Sequence, residues 1–540
     1  MPINLSSSAT VSSGLSPVVV PTVGVSASQS IGTDIPAEVT DSTAFFQAEA
    51  AAPEIADTYR KPVSKSLIQT DTVRQTMEEG SVAVSEREYS ASQSQTLLTG
   101  FRSGQYVAAM LEQGLQQFES RSGSYFWVDD GIREPLTEIG RVKMLYGYRE
   151  ERLSFSLTTR SGITLNLEIN HQTGDGRLED GRIINVDQWL TRFAADGELT
   201  QQERKDVLAL ANSLEGAAAR YLSTGRFDLS ALGLDKLESF SSLQVEMQGA
   251  GSDKSADLLK LDYRDSEETR TLSVLLHKDQ LDLQLNKDGW AILGSRDQRQ
   301  QSLEEYLLLI EDSAHRGDAD DEQTDLMQDA FRLLHHLNKE EQIAAQEEET
   351  IAGTPTGIDV NYAAAGLRAL SGLEDFRFSF VAEISQPNPD PAKEYEKVSF
   401  ELSFSQQTKG LTGNPGQLQV EQTQSYQMQA SYYEPLLWLN KVDFVNQNYR
   451  YAETEATATK VTGISYDDFS LTGLFSHSQN EWQQRTRTYV EGVLDGDSTD
   501  GAANDDIRDF TEAAVAAERE QRLDMLDELL GRNIPDPWQR

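Results

Sequence analysis

The chain has 540 residues, room for two to four domains at roughly 100–200 residues each, and 38% of its residues are hydrophobic. A net charge of −41 argues against nucleic acid and anionic membranes as partners and favours solubility. The chain has no cysteine, which excludes disulfides, thiolate nucleophiles, zinc–thiolate centres and iron–sulfur clusters.

Residues 1–95 read as a disordered arm, rich in Ser, Thr, Ala, Val and Pro without a sustained period. The first 30 residues hold nine serines and no charged side chain, as in the leaders of type III or flagellar export substrates. No Lys or Arg precedes Arg60, and Val18 to Val20 are bracketed by Pro17 and Pro21, so a standard signal peptide is not expected. A short helix is expected over 66–79. Order begins near Gln95, where Tyr106, Met110, Leu111, Leu115 and Phe118 recur at helical spacing.

The first clear β signal is the alternation of Leu153, Phe155 and Leu157, then of Ile163, Leu165, Leu167 and Ile169 across a turn. It predicts an antiparallel hairpin with one buried face, with a neighbouring strand over 142–148. A Gly/Asp loop over 171–181 and helices over 185–194 and 201–223 follow. The second helix has a capping-box pattern at Thr200 and Glu203, an apolar stripe through Val207, Leu210, Ala211, Leu214, Ala218 and Tyr221, and Gly225 as its stop.

A second β run covers 257–294, carried by Leu259, Leu261 and Tyr263 and by Leu281, Leu283 and Leu285. Helices are expected at 302–312 and 324–348, then a linker over 349–358. The region 360–490 is strongly β, with alternation through Phe376–Phe380, Val398–Phe404 and Leu418–Tyr432, and a Gln/Ser-rich opposite face that should be wet. The stretch 495–506 reads as an Asp/Gly/Ser-rich linker, and 507–530 as an amphipathic helix with Gly531 at its end and Pro535 beyond. The expected class is therefore α+β: antiparallel hairpin and meander sheets with interspersed helices, a disordered N-terminal arm and a C-terminal helix on a linker. The divisions are 1–95, 96–250, 251–350, 360–490 and 491–540.

Catalytic signals are sparse. GxSxG and HExxH are absent, and the six histidines stand in no triad-like pattern. Residues 410–416 are Gly-rich but match no phosphate-binding loop and read as a hairpin turn. The candidate metal ligands are Asp196 and Glu203. With Gly197 and Leu199 they match the second half of an EF-hand loop, while Arg192 and Ala194 occupy the positions of its first carboxylates. The remaining acidic loops, around Asp318 and Asp495, lack the loop's glycine. Calcium is the one cofactor this pattern raises; otherwise none is expected. Phe510, Leu526 and Leu530 mark the apolar face of the C-terminal helix as a partner-binding candidate.

The stretch DGELTQQERKDVLALANSLEGAAARYLSTGRFDLSALGLDKLESFSSLQVEMQ at 196–248 follows an alternating strand pair at 153–169. This arrangement resembles a module recurrent in uncharacterised acidic gammaproteobacterial proteins. The resemblance covers about a fifth of the chain; it implies a bacterial source and brings no catalytic residue.

The leading expectation is a non-enzymatic bacterial binding or structural protein that contacts a protein partner through its terminal segments. Two alternatives stay open: an exported substrate or effector led by the serine-rich start, and a hydrolase working through paired carboxylates. The expected location is the bacterial cytoplasm, or outside the cell by export without a cleaved signal. An integral membrane protein is not expected, since no stretch approaches the roughly 18 apolar residues of a spanning helix.

Overall fold

Strands that alternate apolar and polar residues bury one face and leave the other wet. The structure, a computed structural model, describes residues 65–76, 101–112, 117–128, 142–178, 183–234, 239–249, 258–287, 294–335, 362–384, 388–412, 414, 416–436, 441–531 and 534–538. The fold is α+β, and its strands form one fifteen-stranded antiparallel sheet. They are β1 (Lys65–Thr76), β2 (Gln117–Val128), β3 (Val142–Thr159), β4 (Thr164–Leu178), β5 (Ile183–Ala195), β6 (Phe240–Gln248), β7 (Leu258–Asp265) and β8 (Thr269–Leu276). The series continues with β9 (Asp279–Asn286), β10 (Asp375–Ile384), β11 (Val398–Thr412), β12 (Leu418–Pro435), β13 (Tyr449–Asp467), β14 (Ser470–Val490) and β15 (Val493–Asp509). The spatial order is β1-β2-β5-β4-β3-β6 and then consecutive to β15. The first part is a Greek key, since β2 lies beside β5 rather than β3; the rest is a long meander.

Among the described residues seven α-helices accompany the sheet: α1 (Ser103–Glu112), α2 (Gln201–Thr224), α3 (Arg296–Arg316), α4 (Asp321–Leu334), α5 (Ala364–Leu367), α6 (Thr511–Glu520) and α7 (Leu523–Leu530). They cover a single face. Leu157, Leu243, Tyr263, Leu272, Leu283, Phe378, Phe404, Tyr426 and Ala458 stand in register across nine strands on that face. The row displaced by one residue is Ser156, Gln244, Asp262, Ser273, Asp282, Ser379, Ser403, Gln427 and Thr457, on the uncovered face. Tyr306 of α3 stacks on Phe404 at 5.3 Å, and Phe331 of α4 meets Phe376 edge-on at 5.3 Å. Burial of each such side chain contributes about 1.5–3 kcal/mol.

Core and caps follow the expected pattern closely in α2. Its six stripe residues are all buried, the Thr200–Glu203 capping box is formed, and Gly225 closes the end at φ 75°. Leu153, Phe155, Leu157, Leu165, Leu167 and Ile169 are buried as the hairpin pattern requires. In β11 and β12 the Gln and Ser positions out of phase with the core are half-buried or exposed, as expected.

Several local expectations give way to sheet pairing. Residues 185–194 are in β5, not a helix; strands β2 and β4 flank it, and the β-branched and aromatic content of Ile183, Ile184, Val186 and Trp189 suits a strand. Residues 66–76 form most of β1, paired along its whole length with β2. The Gly/Asp stretch from His171 continues β4 to Leu178. The expected divisions near 250 and 350 fall between strands of the same sheet, since β6 pairs with β7 and β9 with β10. The expected linker at 495–506 is the core of β15, held by β14. The expected single helix at 507–530 begins only at Thr511 and breaks at Gln521, whose φ is 53°. The arm at 1–64 and 77–95, the far end of the helix expected to reach 348, and the 349–358 linker lie outside the described residues.

Candidate interaction surface

The carboxylates of the half loop are already engaged by protein donors. Asp196 Oδ1 accepts the Thr164 amide at 2.7 Å. Glu203 is buried; its Oε2 accepts the Thr200 amide at 2.8 Å and its Oε1 the Ser161 hydroxyl at 2.6 Å. Burial alone would raise the Glu203 pKa, but the hydrogen bonds from Ser161 and Thr200 outweigh it and bring it down to about 2. Glu203 thus caps α2 and ties it to the β3–β4 turn. Arg192, on β5, lies 3.5 Å from Glu168. Among the described residues no three His, Asp or Glu side chains gather in a metal-holding group.

Phe510, Leu526 and Leu530 are brought together against the protein's own body. Leu526 is fully buried in a cluster with Leu370, Leu418, Ile464, Leu471 and Leu474, and Phe510 and Leu530 pack on its margin. Arg368 Nη1 donates to Asp527 at 2.6 Å and anchors α7 from outside. Met525 and Leu529 remain exposed on the other side of α7.

Two polar assemblies escaped the sequence reading. In the first, Gln406, Gln424 and Lys460 face the helices on adjacent strands β11, β12 and β13. Gln424 Nε2 donates to the Tyr306 hydroxyl and to Gln406 Oε1, Ser371 donates to Gln406, and Thr408 donates twice to Asp375. Burial lowers the Lys460 pKa to about 8, against the pull of Glu305. The signal was present, because these polar residues sit in phase with core residues of their own strands. In the second, the segment 388–397 closes one end of the sheet. Glu396, 1% exposed, accepts the Tyr449 hydroxyl at 2.7 Å, and Lys393 lies 3.7 Å from the centre of the Tyr489 ring. Beside it is an open groove of about 420 Å³ lined by Pro389, Asp390, Phe444, Val445 and Gln447. The Gln447 amide there is spent on Asn388, Phe444 and Lys393.

At the other extreme of the meander the sheet outruns its helices. Not one of the seventeen residues of β15 is buried. Glu491 and Gly492 at φ 50° and 78° make the two-residue turn that folds β15 onto β14. Arg485 of β14 grips Asp497 through Nε and Nη2 at 3.0 and 2.7 Å, and His477 meets Asp505 at 2.7 Å. These partners hold the carboxyls of Asp497 and Asp505 below the usual range. Trp538 packs on Trp482 of β14, with the Arg316 guanidinium 4.1 Å from its ring centre.

The class these features define is an α+β protein with an open-faced antiparallel sheet whose last strand, β15, pairs with β14 and buries no residue. The chain matches no protein-family model, no curated protein and no solved structure.

Proposed function

We propose that the protein is a non-enzymatic binding protein that meets a protein partner through the edge strand β15 and the adjoining polar face. The observation that carries this reading is that no residue of β15 is buried. A strand that buries no side chain adds nothing to the core, and it leaves polar and charged groups available for contact. Glu481, Thr457, Gln427 and Ser403 continue the same face inward with polar side chains. The interaction element of this reading is therefore β15; the apolar stripe of α6 and α7 is consumed in packing on the body. The reading includes no cofactor.

The test is retention of a cellular partner by the full chain and by a double variant, Thr499→Arg and Ala503→Arg, on the outer face of β15. A defined partner kept by the parent and lost by the variant, with an unchanged melting temperature, is the expected result. Equal retention by both chains rejects the reading.

A further inference from the structure

We propose that the free edge of β15 receives an extended basic segment of a partner protein as a sixteenth strand. The proposal rests on the binding reading above and names the chemistry of the partner. β15 ends the sheet, and among the described residues its strand neighbour is β14 alone. In an antiparallel pair alternate residues turn their backbone N–H and C=O groups outward, so the far side of β15 presents a long row of donors and acceptors, of which the Gly501 amide donates to Asp500 Oδ1 at 2.9 Å. Such edges are commonly blunted by proline or a bulge. β15 contains no proline, and its one register shift lies beside the turn, between Thr488 and Tyr489. Gly496, Gly501, Ala502 and Ala503 keep the middle of the strand low, so an added backbone can approach.

Charge selects what approaches. β15 carries six aspartates and one arginine. Asp497, Asp505 and Asp506 are drawn to Arg485, His477 and Arg508, whereas Asp495 and Asp500 make no ion pair among the described residues. A second copy of β15 would lay aspartates against aspartates about 5 Å across the new ladder, which is repulsive. A strand bearing Lys or Arg on both faces meets the opposite situation. Backbone pairing then supplies the docking geometry and the aspartates supply the preference.

The probe is a short end-blocked peptide alternating Lys and Thr, titrated into the full chain at low salt. An alternately N-methylated form of equal charge and a Glu/Thr counterpart serve as controls. The Lys/Thr peptide is expected to bind and to slow amide exchange across 493–509, with little change elsewhere. N-methylation should weaken binding about tenfold or more, because the ladder is lost while charge is kept. Asp495→Asn with Asp500→Asn should weaken it roughly threefold to tenfold without changing the melting temperature. Equal binding of the N-methylated peptide, or protection lying elsewhere, overturns the proposal. So does an edge already protected in the peptide-free chain, or a doubling of mass with concentration that protects β15. If the Thr499→Arg/Ala503→Arg variant loses its cellular partner while the peptide leaves 493–509 unprotected, the binding reading stands and strand addition falls.

Discussion

Arg270 and Asp265 meet in the interior: Arg270 Nε donates to Asp265 Oδ1 at 3.2 Å, with both side chains no more than 9% exposed. Arg160 and Lys287 reach the same carboxylate, and Arg270 Nη1 donates to the carbonyl of Leu334 at the end of α4. One buried carboxylate therefore joins β7 and β8 to α4. Burial by itself would raise its pKa; the surrounding Arg270, Lys287 and Arg160 bring it below the usual carboxylate range. Removing a single partner strands a buried charge. Asp265→Asn is expected to cost about 3–5 kcal/mol in urea unfolding. The double change Asp265→Leu with Arg270→Met should cost less than Asp265→Asn alone, and a larger loss would show that the pair stabilises beyond its own desolvation.

His335 gives a pH signature. It is buried between Phe331 and Phe376, with ring centroids at 4.5 and 5.0 Å, and burial depresses its pKa to about 3, with Arg270 adding to the effect. The folded state therefore keeps it neutral, whereas the unfolded chain takes a proton near pH 6.5. Its stabilising contribution is present above about pH 6.5 and is lost as pH falls toward 3. Thermal melts between pH 7 and 4 should show this decline, and His335→Phe should flatten it while leaving the carboxylate-dependent loss at lower pH.

At the half loop, Asp196 and Glu203 are already held by backbone and hydroxyl donors. Melting curves in calcium and in chelator should coincide, and a shift of several degrees would establish a cation site there. Glu203→Ala should lower stability by about 1–2 kcal/mol in both buffers through loss of the cap. The Glu203 contribution is complete above about pH 4.3 and disappears as pH drops toward 2.

Leu526→Ala should cost about 2–5 kcal/mol in the docking of α7, since the leucine is fully buried in the cluster that includes Leu418 and Ile464. Limited proteolysis reads this directly, with cleavage expected after Arg519 or Arg522. A cleavage pattern identical to the parent would mean that α7 is held from elsewhere.

Gly317, at the end of α3, lies so close to Phe400 that an added Cβ would overlap the ring at Cδ2 and sit 3.1 Å from Ala430 Cβ. Gly317→Ala should destabilise by about 1–3 kcal/mol. Restoration by the second change Phe400→Leu would locate the cost at that contact.

The sequence by itself determined the strands with one buried face and the helix with strong caps. Leu153 to Leu157 and Phe400 to Phe404 alternate with period two, and Thr200, Glu203 and Gly225 punctuate α2, so short-range physics suffices. It determined the wetness of the Gln/Ser face for the same reason. Tertiary structure decided where local preference is weak. The Asp/Gly/Ser composition of 495–506 favours a loop, yet β14 offers it a full ladder of partners, and 185–194 becomes a strand because β2 and β4 enclose it. It also decided that β9 pairs with β10 across the span from 287 to 374, joining apparent domains into one sheet. Register between strands distant in sequence depends on which edges are free when the sheet assembles, and no window of residues carries that information. Hence the acid-rich 495–506 stretch became, only in three dimensions, an open edge.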